Sequence, residues 1–304
     1  MSESPRSVDI DRVTIRRLHR ISFIHPVQEI GCCLVYSCFM PIRHSFCWWA
    51  FAGRGVPNAE LLHSAKSIGY DAVELIDETL FDAARDAGLR IAAHGGPQSI
   101  SEGWNDPAHH PRLLRELDRC LALAQTHQIP NLILFSGNRQ LGVSDEAGLE
   151  HTVAGLTRAA ALAEDAGVTL ILELLNSKRD HPGYQCDHTA WGVEVCRRAG
   201  SPRVRLLYDI YHMQVMEGDL IATIEANYSV IGHYHTAGNP GRHDLDAFQE
   251  IAYPAVFQAI ARTGYDGYIG HEFIPKSDPV AALQAAYDLC RQALTGTGVV
   301  NEPD

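Results

Sequence analysis

The sequence has less positive than negative charge. Its 304 residues include 25 Lys and Arg against 37 Asp and Glu, for a net charge of −12. A nucleic-acid surface needs clustered Lys and Arg to contact phosphates, so this balance argues against DNA or RNA as a partner. It also leaves no basic amphipathic stretch for an anionic membrane. We expect a small-molecule substrate instead, with a homo-oligomer allowed.

Long apolar runs and paired cysteines are absent as well. The apolar stretch at residues 30–40 is too short to span a bilayer. The eight cysteines form no CxxC pair and no Cys/His cluster with zinc-finger spacing. A chain of this length buries a large core without disulfides. We therefore interpret the cysteines as free thiols in a reducing compartment and expect a cytoplasmic location.

The first 39 residues differ in character from the rest. Basic residues at positions 16, 17 and 20 precede the apolar stretch, as in a targeting peptide, but no small-residue cleavage site follows convincingly. We interpret residues 1–39 as an extension outside the folded domain. Residues 40–295 then form one catalytic domain, and residues 296–304 form a flexible tail.

A recurring junction organises the remainder of the chain. A helical stretch ends at Gly and a short apolar run follows, at Gly69, Gly88, Gly167, Gly200 and Gly264. Glycine closes a helix well because it adopts the left-handed conformation. Eight such runs are predicted as strands, at 44–48, 72–75, 90–94, 132–136, 169–174, 204–209, 231–235 and 268–272. The clearest helices are predicted at 113–128 and 146–166.

Eight strands that alternate with helices predict an α/β fold of the (β/α)₈ TIM-barrel type. An open doubly wound sheet is the alternative. It is disfavoured because no Gly-rich phosphate loop follows the first strand.

Polar residues end four of the late strands. They are Glu173, Asp209, His235 and Glu272. Catalytic groups of a barrel lie at the carboxyl ends of its strands, so we expect these four to meet there. Unpaired buried carboxylates are costly, and a shared cation relieves that cost. Three carboxylates and one imidazole suit one divalent ion, Mn²⁺ or Mg²⁺, with Co²⁺ or Zn²⁺ also allowed.

Single residues of this set also fit plainer roles. Asp209 fits a helix cap, and His235 fits a core histidine, as His233 does one layer deeper. His94 and Trp48 end the third and first predicted strands. We expect both to line the pocket mouth and contact the substrate, although a packing role is as well supported.

The chain resembles a known family at these positions. The segments HSFCWWAF, ELLN with HPGYQ, DIYHMQ, IGHYHTA with NPGRHD, and YIGHEF resemble hydroxypyruvate isomerases. These belong to the xylose-isomerase-like barrel superfamily, with ketose 3-epimerases and inosose dehydratases. The resemblance covers about residues 40–290. It differs at Leu174, where relatives often have Pro, and at His235, where hydroxypyruvate isomerases carry Gln and the epimerases and dehydratases carry His.

The resemblance implies roles for individual residues. Glu173 and Glu272 would be metal ligands and also the catalytic acid/base pair. Asp209 and His235 would complete the metal site. His212 and Arg242 would contact the substrate.

These roles predict an isomerase that moves a proton through an enediolate, with hydroxypyruvate as the first candidate substrate and tartronate semialdehyde as its product. A ketose 3-epimerase or an inosose dehydratase on the same metal site is the main alternative. A metal-dependent DNA-repair endonuclease would need more His and Glu ligands and a basic face. A non-catalytic sugar-binding barrel is the remaining alternative.

Overall fold

The computed structural model describes residues 42–295 of the chain. Eight parallel strands close into a barrel in sequence order, with β8 paired to β1. The strands are β1 (Arg43–Cys47), β2 (Ala72–Glu74), β3 (Arg90–Gly95), β4 (Asn131–Leu134), β5 (Thr169–Glu173), β6 (Val204–Asp209), β7 (Ile231–Thr236) and β8 (Tyr268–His271). The predicted TIM barrel is confirmed. The extension at 1–39 and the tail at 296–304 lie outside the described residues.

Helices follow the strands and form the outer layer. They are α1 (Trp48–Phe51), α2 (Asn58–Ile68), α3 (Phe81–Asp86), α4 (His110–His127), α5 (Asp145–Ala166), α6 (Thr189–Ala199), α7 (Ile210–Met216), α8 (Leu220–Asn227), α9 (Tyr253–Arg262) and α10 (Pro279–Thr295). None of the helices in the described residues is long and apolar enough to cross a membrane.

The glycine junctions act as predicted. All five glycines have positive φ, between 68° and 125°. Gly167 is an example: it ends α5 at φ 71°, and its N–H donates to the carbonyl of Glu164 at 3.1 Å. Each junction therefore turns the chain directly from a helix into the next strand.

The strands are buried on both faces. A small cluster inside the barrel contains Ala93, Ile133, Ile171 and Leu207. A much larger apolar layer lies between the barrel and the helices. Because the strands pack on both sides, their sequences read as continuous apolar runs. The alternation also sets which side chains point inward: two residues beyond Ile171 and Leu207 come Glu173 and Asp209.

Several predicted strand ends are wrong by one or two residues. The difference matters at β1, which ends at Cys47, whereas Trp48 begins a single helical turn. In that turn the N–H of Ala52 donates to the carbonyl of Trp48 at 2.9 Å. The aromatic run Trp48–Phe51 has no alternating pattern that would separate a strand from a turn. Glu272 likewise lies one residue beyond β8.

Candidate active site

Four polar side chains from neighbouring strands meet at the carboxyl end of the barrel. They are Glu173, Asp209, His235 and Glu272, and one ligand atom from each lies within 4.8 Å of all the others. Asp209 and His235 are fully buried, and each glutamate is 4% exposed. The structure therefore brings together the four residues that the sequence predicts as a group. Buried His, Glu and Asp side chains in this arrangement form a set that can bind a metal ion.

Two atoms of this cluster lack a hydrogen bond within the described part of the chain. Nδ1 of His235 lies 3.1 Å from Oε2 of Glu272 and 3.4 Å from Oε1 of Glu173, without hydrogen-bond geometry to either. Oδ2 of Asp209 is also without a partner, whereas Oδ1 accepts the N–H of His212 at 2.9 Å. Asp209 thus caps α7 with one oxygen and directs the other into the site. Buried polar atoms are normally paired, so these two fit a divalent cation between them.

The three carboxyl groups have different electrostatic surroundings. Burial raises the pKa of Asp209 to about 7, with Arg242 opposing the shift and Glu272 adding to it. Burial also raises the pKa of Glu173. Glu272 differs: burial acts to raise its pKa, but Arg242 and His235 hold it well below its usual range. Without a cation, therefore, two of the three carboxyl groups resist ionisation.

His235 responds to the same surroundings in the opposite sense. Burial acts to lower its pKa, but Cys47 and Glu272 raise it well above the ordinary value. The imidazolium thereby compensates part of the carboxylate charge. A metal ion at Nδ1 would have to replace a proton.

Arg242 covers the cluster from the loop after β7. Its Nη2 donates to Oε2 of Glu272 at 2.6 Å and lies 3.8 Å from Oδ2 of Asp209. The guanidinium also lies over the rings of Trp49 and Tyr211, at 5.4 and 5.7 Å from their centroids. Its backbone has φ 57°, an uncommon value for a residue with a side chain, and such strain is typical of functional loops.

His212 presents a hydrogen-bond donor to the site. The backbone N–H of Asn176 donates to its Nδ1 at 3.1 Å, so the proton of the neutral ring is on Nε2. Burial and Arg242 lower the pKa of His212 well below its ordinary value, which keeps the ring neutral. Nε2 lies 3.7 Å from Oδ2 of Asp209 and has no hydrogen-bond partner among residues 42–295.

The two residues predicted at the pocket mouth lie elsewhere. Trp48 is buried in the large apolar layer, with its ring 6.5 Å from that of Phe46. His94 packs edge-on against Phe81 at 5.3 Å, on the helix side of β3, because its neighbour Ala93 points into the barrel. The structure does not bring either residue to the four-residue cluster. The predicted contacts of Trp48 and His94 with the substrate remain predictions, and the observed positions of the two side chains do not support them.

Trp49 is a residue of the site that was not predicted from the sequence. Its indole Nε1–H donates to Oε1 of Glu272 at 3.0 Å, while the residue is 44% exposed. A half-exposed Trp that touches a buried carboxylate is well placed to meet a ligand at the barrel mouth. The sequence feature that could have indicated it is the adjacent pair Trp48-Trp49. Alternation along a strand would place the two rings on opposite sides, but it does not say which ring faces inward.

His181 and Tyr211 were missed as well. The ring of His181 lies 5.3 Å from that of His212, and Tyr211 donates its hydroxyl to Asp180 at 2.8 Å. Both belong to segments that follow β5 and β6, and no strand pattern marks them.

Comparison with known proteins agrees with this architecture. The model of the family described as xylose isomerase-like TIM barrel matches residues 62–293. A Homo sapiens protein provisionally named hydroxypyruvate isomerase is 27% identical over 237 residues, 73% of this chain and 86% of its own length. A 2-oxo-tetronate isomerase of Cupriavidus necator is 37% identical over 128 residues, which cover 42% of this chain and 48% of its own length.

Solved structures show the same fold. An AP endonuclease, family 2, from Brucella melitensis has a TM-score of 0.70 at 24% identity, covering 80% of this chain and 97% of its own. D-psicose 3-epimerase of Clostridium cellulolyticum H10 has a TM-score of 0.69 at 17% identity, covering 83% of this chain and 99% of its own. At these identities the similarity establishes the fold alone.

The curated relatives are named as isomerases, and the prediction of an isomerase enzyme is confirmed at that level. The matched family model covers most of the chain. The chain belongs to the xylose isomerase-like TIM barrel family.

Proposed function

We propose that this protein is a metal-dependent isomerase of a small hydroxy-oxo acid, with hydroxypyruvate as the first candidate. The observation that carries the proposal is the cluster of Glu173, Asp209, His235 and Glu272, in which two buried polar atoms lack a hydrogen bond within the described residues. The names of the curated relatives, hydroxypyruvate and 2-oxo-tetronate isomerase, support the substrate class. We further propose that the folded domain begins near residue 40 and acts in the cytoplasm.

The four cluster residues would hold one divalent cation. Three carboxylates and an imidazole are mostly hard donors, which favours Mn²⁺ or Mg²⁺, with Co²⁺ or Zn²⁺ also accommodated. Held by these residues, such a cation would supply Lewis-acid chemistry: it would polarise the substrate's carbonyl and offset negative charge on its oxygens.

Glu173 and Glu272 would move the proton. One glutamate takes the proton from the carbon that carries the hydroxyl group, which gives an enediolate. The proton then returns to the neighbouring carbon, and the hydroxyl proton passes to the former carbonyl oxygen, so that the former hydroxyl oxygen becomes the new carbonyl. No atom is gained or lost, as an isomerisation requires. Both groups are buried beside one another, within reach of a substrate bound at the open end of the barrel.

His212 and Arg242 would orient the substrate. The Nε2–H of His212 offers a neutral donor that cannot take part in acid/base exchange near neutral pH, given its lowered pKa. Arg242 offers a planar fork of donors, which matches a carboxylate. That pairing favours a substrate with an acid group over a neutral sugar.

One observation favours a second candidate, a ketose 3-epimerase or an inosose dehydratase on the same metal site. His235 occupies the position where those enzymes carry His and hydroxypyruvate isomerases carry Gln. By the same resemblance the three carboxylate ligands would be common to all three enzymes, so the substrate decides between them.

The proposed function is tested with a substrate panel. Purified protein loaded with Mn²⁺ or Mg²⁺ is given hydroxypyruvate, a 2-oxo-tetronate, free ketoses and an inosose, and the products are identified by NMR. We expect turnover of an oxo acid, and turnover that falls by about 10²–10⁴ in Glu173→Gln and Glu272→Gln, since a placed acid or base contributes that much.

Asp209→Asn is the matched variant in this panel, because it weakens metal binding without removing a proton-transfer group. Raising the metal concentration should restore much of its activity. Conversion of ketoses or inosose alone would select the second candidate. Full activity of either glutamine variant, with Asp209→Asn beyond rescue, would contradict the two-glutamate assignment.

Metal binding should depend on pH. In the metal-free protein Asp209 has a pKa of about 7, raised first by burial, and the pKa of His235 is raised by its neighbours. A cation must displace these protons, so affinity should rise with pH across the neutral range, with protons released on binding. Calorimetry of Mn²⁺ binding in buffers of different ionisation enthalpy measures both effects. Equal affinity on either side of neutrality, with no proton release, would argue against this site.

The adjacent tryptophans should separate catalysis from stability. Trp49→Phe removes the indole donor to Glu272 but keeps an aromatic ring, so turnover should fall while the melting temperature changes little. Trp48→Phe alters a buried ring and should mainly lower the melting temperature, by a few degrees, as core changes do. Steady-state kinetics and thermal unfolding of both variants decide the matter. The opposite pattern would favour Trp48 as the residue that lines the pocket mouth and contacts the substrate.

A further inference from the structure

A second layer of polar side chains lies beneath the four-residue cluster, inside the barrel. Glu74 of β2, His233 of β7 and Ser45 of β1 are all fully buried. The hydroxyl of Ser45 donates to Oε1 of Glu74. Nε2 of His233 lies 3.0 Å from Oε1 and 3.1 Å from Oε2 of the same carboxylate. A carboxylate so far from water is costly to bury, and these donors offset that cost.

Glu74 also reaches the candidate metal ligand His235, from the side away from the cluster. Oε2 of Glu74 lies 3.1 Å from Nε2 of His235, while Nδ1 of the same ring faces Glu173 and Glu272. Gly270 of β8 leaves the space for this contact. A Cβ at that position would stand 2.5 Å from Oε1 of Glu74 and 2.8 Å from Cδ2 of His235.

The two nitrogens of His235 therefore have different tasks. A carboxylate only accepts hydrogen bonds, so Glu74 requires the proton of a neutral ring to be on Nε2. The other neighbour of Nε2 is the thiol of Cys47, with Sγ 3.7 Å away. A thiol can donate, and if it alone faced Nε2, the ring could carry its proton on Nδ1, where it would block a cation.

We propose that Glu74 is a positioning residue that holds one proton of His235 on Nε2, so that the proton given up to a cation is the one on Nδ1. The inference rests on the proposed metal site. Ser45 and His233 support this role, because their hydrogen bonds hold the Glu74 carboxylate in place. Metal-binding histidines commonly donate their second N–H to a carboxylate, which fixes the tautomer and orients the ring. Here the carboxylate comes from the far side of the barrel.

The first test is spectroscopic and leaves Glu74 unchanged. The protein is labelled with ¹⁵N-histidine and loaded with Zn²⁺, a diamagnetic probe, and the ring nitrogens of His235 are assigned by comparison with His235→Gln. The expected spectrum shows a protonated Nε2 and a metal-bound Nδ1. A proton on Nδ1, or Zn²⁺ on Nε2, would overturn the proposal.

The second test is a double-mutant cycle on Mn²⁺ affinity, measured by calorimetry. Glu74→Gln keeps the shape but offers both a donor and an acceptor to Nε2, so it no longer selects the tautomer. We expect Mn²⁺ to bind about 10- to 100-fold more weakly, which is the usual loss of metal affinity when a hydrogen-bond partner of a metal ligand is replaced. In the His235→Gln background the same change should have little effect, because an amide has no ring tautomer.

The two backgrounds also separate this role from a general effect on folding. An equal loss in both backgrounds would assign Glu74 to the architecture of the barrel and overturn the positioning role. Unchanged affinity in Glu74→Gln would overturn it too, while leaving the metal site intact. Failure of the unaltered protein to bind Mn²⁺ or Zn²⁺ would overturn the metal site and the inference together.

Discussion

Carboxylates enclosed in a barrel need positive charge, and this need organises the whole site. Glu173, Asp209 and Glu272 lie almost out of reach of water and within a few ångströms of one another. Arg242 and His235 supply positive charge, which is enough to hold Glu272 in its ionised form but leaves the pKa values of the other two raised. A divalent cation would remove this imbalance, because it would let all three carboxylates ionise together.

The barrel delivers these groups through its simplest rule, the alternation of side chains along a strand. Ile171 and Leu207 fill the interior, and the next inward positions on their strands are Glu173 and Asp209. On these two strands an apolar residue lies one layer beneath each acidic residue, whereas Glu74, His233 and Ser45 are the polar residues of the barrel interior beneath the cluster. Along each of these strands, a residue that fills the core is therefore followed two positions later by a residue of the candidate metal site.

This regularity explains what could be predicted from the sequence. Repeated Gly-strand junctions identified the barrel, and a polar residue at the end of each late strand identified the four clustered side chains. Positions without a pattern were harder. Trp48 and Trp49 are adjacent, and only the turn that starts after Cys47 decides which ring meets Glu272. His94 lies one residue before the end of β3, and the inward position of Ala93 turns it towards the helices.

Contacts across the barrel could not be predicted at all. Glu74 ends a three-residue strand, where a single carboxylate suggests nothing about its partner. Its partners His233 and His235 lie about 160 residues later in the chain, on β7. Only the closed barrel makes them neighbours, together with the missing side chain of Gly270. Arg242 belongs to a loop whose backbone conformation at φ 57° has no signature in the residue type.

The proposed function depends on the binding of one divalent cation by the four clustered side chains. The most direct measurement is a crystal structure of the protein soaked in Mn²⁺, with anomalous diffraction data to locate the ion. We expect one anomalous peak, bound by oxygens of Glu173, Asp209 and Glu272 and by Nδ1 of His235, with Arg242 moved off the oxygen that binds the ion. A peak at other residues, or an empty cluster at saturating Mn²⁺, would contradict it.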